Sequence, residues 1–247
     1  MDYARGVKGE IDQRPKRFYT LVEVAGAEEG WIVTLDGRAV RTPGGKRLAL
    51  PSEKLAQLIA DEWRAQGERI HLASMYNTRR AYGVADRPAD VRQHLVDQCV
   101  RYAGTDLVCY LADRPVELRN RQEEAWGPMR AWAAEQHGVA LTAVTGILPV
   151  EQPSSSLEAA RRHADMLDDF RFDALVAAVS LTGSAVLGLA VERRRLSAQE
   201  AFDVSRIDEL FQIERWGEDG EAAKRTANQR LEAKALDQWL DALAVAE

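Results

Sequence analysis

The residues of this 247-residue chain that could do chemistry are four histidines, two cysteines and a few adjacent carboxylates. His71, His94, His137 and His163 are far apart, and none has a second histidine within one helical turn. Neither His-Glu-x-x-His nor paired Cys-x-x-Cys occurs, so no metal site is expected. Gly-x-Ser-x-Gly is also missing, which leaves no nucleophile elbow. Pro43-Gly44-Gly45-Lys46 lacks the earlier glycine and the following Ser/Thr of a phosphate loop. Gly183 to Gly188 matches a loose dinucleotide glycine pattern but follows no strand, so it reads as a packing feature. Ser180, Ser184 and Gly188 would form one small-residue stripe there. Asp168-Asp169, Glu123-Glu124 and Glu218-Asp219 are adjacent pairs, whose side chains diverge on a helix and rarely cooperate. No catalytic residue and no cofactor is expected from these patterns.

One cluster stands apart. Between Asp208 and Asp219 the chain mixes acids with Phe211 and Trp216, at what reads as a helix C-terminus. Acids there oppose the helix dipole, and a broken local rule often marks a functional site. The alternative is that both aromatics are core and the acids merely solvated.

The elements that would position this cluster follow from periodicity. Residues 18–24 and 31–35 are rich in aromatic and β-branched residues and predict strands. Asp36-Gly37 predicts a hairpin turn, and residues 47–50 could close a small antiparallel meander. Helices are expected from Ser52 onward, with a strand or connector at 107–110 and a short strand at 139–144. Gly127-Pro128 should bend or restart the helix at 117–137. Ser155 with Glu158, and Ser197 with Glu200, have capping-box spacing. The second box opens a helix expected to run to Trp216. A last helix should run from Gly220 to Leu243, with Leu231, Leu236, Trp239 and Leu240 as its apolar residues. The expected fold is α+β: a disordered stretch at 1–15, a small N-terminal antiparallel β-domain at 16–75, and a larger α-helical domain at 76–247.

Composition narrows the function classes. Formal net charge is −6, and 46% of residues are apolar. From residue 207 onward there are ten acidic and five basic residues, while the rest of the chain is nearly neutral. Neither part has the basic excess of a nucleic-acid surface. Residues 174–191 carry no charge, but as one helix they would fall short of a bilayer core and include Ser180, Thr182, Gly183, Ser184 and Gly188. A buried central helix is expected, with no stable membrane insertion. Two cysteines, Cys99 and Cys109, suit a reducing compartment.

The order of several short motifs resembles one family. Phe18-Tyr19, Gly30 to Arg38 and Arg41-Thr42-Pro43 come first, followed by Leu50-Pro51-Ser52, Glu62-Trp63 and Thr78-Arg79. Residues 102–107, Arg121-Gln122 with Trp126, Gly183-Ser184, Phe211-Gln212-Ile213 and Trp216 to Asp219 complete the series. This is similar to the chaperones that assemble the catalytic head of F-type ATP synthase by holding its alpha subunit, the assembly factor 2 type. Tyr76-Asn77 and Arg80-Ala81-Tyr82 depart from the family pattern. The resemblance implies a non-enzymatic partner of the unassembled alpha subunit that shields its intersubunit surface until the beta subunit replaces it. It also implies that Glu209 matters, and Phe211, Gln212, Trp216, Glu218 and Asp219 are the further partner-binding candidates. With an acidic N-terminus unlike a transit peptide, a cytoplasmic bacterial member is expected. A small-molecule enzyme with an inter-domain site is the competing expectation.

Overall fold

Asp36 and Gly37 have φ values of 48° and 77° in the computed structural model, which describes residues 14–243. These are the paired positive angles of a two-residue hairpin turn. The turn joins β2 (Gly30–Leu35) to β3 (Arg38–Ala39), and β1 (Val22–Ala27) pairs with β2 on its other side, all antiparallel. The carboxylate of Asp36 accepts the N–H groups of Leu21 and Thr20, and these bonds hold its pKa below the ordinary value. Residues 47–50 return beside β2, where Leu50 and Trp31 exchange backbone bonds of 2.8 and 2.9 Å. The first strand begins at Val22, later than expected. Before it, Tyr19 turns inward to donate its hydroxyl to the Trp63 carbonyl at 2.7 Å, and Phe18 stays outside. The disorder expected at 1–15 falls almost wholly outside the described residues.

α1 (Glu53–Arg64) is capped by Ser52 and packs Leu55, Ile59 and Trp63 into the core shared with the sheet. A 3-10 turn at Leu72–Ser74 follows α1. α2 (Tyr76–Asp86) follows Met75, which offers no capping side chain, so Glu62 of α1 takes that role. Its carboxylate accepts the N–H groups of Asn77 and Thr78 at 2.8 and 2.7 Å. α3 (Ala89–Gly104) leads to a 3-10 turn at Leu107–Cys109 and then β4 (Tyr110–Leu111). α4 (Val116–His137) runs on through Pro128, with Trp126, Met129 and Ala133 buried on either side of the proline. β5 (Val144–Thr145) pairs parallel with β4 and is shorter than the strand expected at 139–144. α5 (Ser154–Met166) starts two residues too early for the Ser155–Glu158 capping box, which does not form.

The apolar segment 174–191 is two helices, not one. α6 (Asp169–Thr182) closes on Gly183 at φ 70°, and the Ser184 hydroxyl caps α7 (Ala185–Glu192) at Leu187 N–H. A glycine stop followed by a serine cap outweighs apolar continuity. The small-residue stripe therefore does not exist as such: Ser180 is exposed, Ser184 is a cap, and only Gly188 makes a close approach. A Cβ on Gly188 would lie 2.4 Å from Val179 Cγ2 and 3.0 Å from its backbone nitrogen. Gly188→Ala should thus cost about 1–3 kcal/mol through overpacking, read as a lower urea midpoint. An unchanged midpoint would mean that α6 and α7 are not in close contact.

Every residue of α7 is buried, making it the helix around which others pack. Its N-terminus is met by Asp106, which is fully buried and accepts Val108 N–H at 3.2 Å and Val186 N–H at 3.0 Å. At its other end Glu192 is fully buried against His163 and Arg171 at 2.9 Å each. Burial pushes the Glu192 carboxyl up, but the His163 bond and the charges of Arg171 and Arg193 outweigh it and hold the pKa low. α8 (Ala198–Ser205), α9 (Ile207–Trp216) and α10 (Gly220–Leu243) complete the fold. The Ser197–Glu200 capping box is formed. Asp237 of α10 accepts Ala198 N–H, and Trp239 donates to the Phe170 carbonyl at 3.1 Å, so α10 is locked to α8 and α6. Of the apolar residues named for α10, Leu236, Trp239 and Leu240 are buried and Leu231 is 50% exposed. The architecture is α+β as expected.

Candidate partner-binding site

The helix expected from 197 to 216 breaks at Arg206. Trp126 of α4 is fully buried and donates its indole N–H to the Val204 carbonyl at 2.9 Å, taking an acceptor that a continuous helix would use. Ser205 donates its hydroxyl back to the Phe202 carbonyl at 2.8 Å, a local bond that competes with helix propagation. The break overturns the dipole argument. Asp208 and Glu209 sit in the first turn of α9, where negative charge is favourable, and Arg215 occupies its last turn.

α4 holds α9 through Arg121 and Gln122. Arg121 makes bonds of 3.0 and 2.8 Å to both oxygens of Glu214 and a third of 3.0 Å to Glu117. Gln122, 1% exposed, donates to Asp208 and accepts Ala112 N–H at 2.7 Å. Burial raises the Asp208 carboxyl above its ordinary pKa, against the opposing pull of that Gln122 bond. Phe211 is 4% exposed, with the guanidinium groups of Arg215 and Arg121 at 4.1 and 5.2 Å from its ring centre. Phe211 is thus the anchor of α9, not a contact surface.

Trp216 is the opposite case. It ends α9 at 77% exposure. Gly217 then adopts φ 83° and ψ 169°, a backbone region open essentially to glycine alone, and sends the chain into α10. Asp219 accepts Glu221 and Ala222 N–H at 3.2 Å each and so caps α10. Between α9 and α10 lies a groove of about 240 Å³. Glu209, Gln212, Trp216, Glu218 and Asp219 line it, so five of the six candidates share one surface and Phe211 lies behind it. Glu209 is ion-paired to Arg206 within the groove. Ala222, Arg225, Thr226 and Gln229 form the α10 wall. Their spacing on one helix face just past a glycine break is the sequence signal for this wall.

Conventional chemistry finds little support elsewhere. His137 and His163 come together, with ring centres 5.9 Å apart. Both nitrogens of His163 are committed: Arg193 can only donate, so Nδ1 accepts from it at 3.2 Å and Nε2 donates to Glu192. Among the described residues no group of His, Cys, Asp or Glu could hold a metal ion. Burial pushes the Cys99 and Cys109 thiols up to about 11 and about 12. Among the described residues no helix is long and apolar enough to cross a membrane.

Comparison with known proteins adds an independent line. The family profile described as ATP12 chaperone protein matches residues 16–134, from the segment before β1 to late α4. Over 200 residues the chain is 25% identical to "Protein atp12, mitochondrial" of Schizosaccharomyces pombe, covering 75% of this chain and 68% of that one. The crystal structure of Atp12 from Paracoccus denitrificans is 40% identical with a TM-score of 0.84, covering 91% of this chain and 98% of its own. An Agrobacterium tumefaciens protein superposes with a TM-score of 0.87 at 36% identity, covering 93% and 87%.

Proposed function

The chain belongs to the ATP12 chaperone family of ATP synthase assembly, and from that premise we propose that its client is the unassembled alpha subunit of the catalytic head. The observation that carries the reading is Trp216, a large aromatic left 77% exposed beside an acid-bearing groove. A subunit awaiting its partner exposes an apolar interface that invites aggregation. A chaperone that covers about 800 Å² of it would protect it, provided the true partner binds more tightly. Trp216 supplies the buried anchor of such a contact. Glu209, Gln212, Glu218 and Asp219 form its polar rim, where charge steers encounter and sets orientation. Nothing in this role requires a bond to be made or broken, so no catalytic residue is assigned.

The experiment is co-expression with the alpha subunit. Wild-type protein should keep the alpha subunit in the soluble fraction, and Glu209→Lys should reduce that fraction severalfold while itself remaining folded. Equal solubility with the folded variant would remove Glu209 from the contact.

A further inference from the structure

The motifs that the α9–α10 groove leaves unused converge on a second one. Phe18, Arg38, Arg41 and Trp63 belong to the family-like motifs near the N-terminus, and with Tyr82 they line a groove of about 530 Å³ between the β2–β3 turn and helices α1 and α2. That volume is within the range of binding clefts. Phe18 is 71% exposed, against 6% for Trp63. Tyr82 is a neutral phenol at neutral pH, as any tyrosine is, and burial lifts its pKa further to about 12. The walls are therefore aromatic and neutral.

The rim is cationic. Arg38 and Arg41 are both exposed; among the described residues neither has a carboxylate within salt-bridge distance, and the Arg38 charge contributes only the last of the causes that hold the Asp36 pKa low. Arg41 spends one guanidinium nitrogen on the Gly45 carbonyl at 2.9 Å. The acid in the lining, Asp36, has its carboxylate turned to the N–H groups of Thr20 and Leu21. Two guanidinium forks beside an exposed phenylalanine select a carboxylate next to an apolar side chain. We propose that this groove holds an acidic, apolar-flanked extended segment of the same client, as a second contact opposite in charge to the α9–α10 site. The proposal rests on the client reading above. It makes the chaperone bipartite: one end takes basic groups beside an apolar patch, and the other takes acidic ones.

The test titrates recombinant alpha subunit into wild-type protein, Arg38→Glu/Arg41→Glu and the milder Arg38→Gln/Arg41→Gln. Because both side chains are exposed, melting temperatures should match the wild type. Affinity should fall at least about tenfold for the reversal and less for the glutamines, and the salt dependence of binding should flatten in both. A photo-crosslinking side chain at position 18 should capture a client segment that contains Asp or Glu. If wild type binds the alpha subunit and both double variants bind it equally well, the groove proposal fails and the client reading stands. Capture of a segment without acids overturns the groove's assigned chemistry. If wild type itself binds no alpha subunit, both fall together.

Discussion

Asp106→Ala should lower folding stability by about 3–5 kcal/mol, as much as truncating a fully buried aromatic residue. The side chain is fully buried and accepts backbone N–H groups from Val108 and Val186. Each donor left buried without an acceptor costs about 1–3 kcal/mol. The damage would fall on the N-terminus of α7, whose eight residues are all buried. The same carboxyl carries a pH signature. Burial lifts its pKa from 3.8 to about 6, against the opposing bonds from Ser184, Val186 and Val108. Between those two values the folded chain binds a proton that the unfolded chain has released. The stabilisation is therefore complete below about pH 4 and is lost as pH rises through 6, up to about 3 kcal/mol across the window. Urea unfolding of wild type and Asp106→Asn between pH 4 and 7 reads this directly. The difference between them should change across the window, and a constant difference would mean that Asp106 does not titrate there.

Trp216→Ala has the largest expected effect on partner binding. Its exposure means that truncation should leave stability within about 0.5 kcal/mol of wild type. A central aromatic anchor is worth about 2 kcal/mol or more, so affinity for the alpha subunit should fall roughly thirtyfold. Phe211→Ala makes the contrast. That ring is buried between Arg215 and Arg121, so its loss should lower the melting temperature and weaken binding only through the disturbed α9. Parallel calorimetry and binding curves for the two variants separate contact from support. A Trp216→Ala variant that binds as well as wild type would remove the aromatic anchor from the account.

Much of the architecture was legible in the residues. Asp36-Gly37 predicted its turn because few residues tolerate paired positive φ, and Gly220–Leu243 was bounded correctly by Gly217 and its own amphipathic face. At the α8–α9 corner a long-range partner decided the local outcome. Ser205 alone hardly announces the break at Arg206, because the indole that takes the Val204 carbonyl comes from Trp126, 78 residues away. The break put Asp208 and Glu209 at the favourable end of α9, and five of the six partner-binding candidates share one groove. Gly183-Ser184 did carry its stop and cap signals, and apolar continuity hid them. Arg121-Gln122 and Trp126 gave no hint of their purpose as sequence, whereas in the fold all three hold the α8–α9 corner.

The most direct measurement is a competition. Purified alpha subunit bound to this protein is titrated with beta subunit, while the amount of each complex is followed by size-exclusion chromatography or native mass spectrometry. The account predicts a one-to-one complex that survives dilution to micromolar concentration and is displaced stoichiometrically as alpha–beta pairs form. Failure to form the complex, or a ternary assembly in which the beta subunit binds without displacing the chaperone, would contradict it.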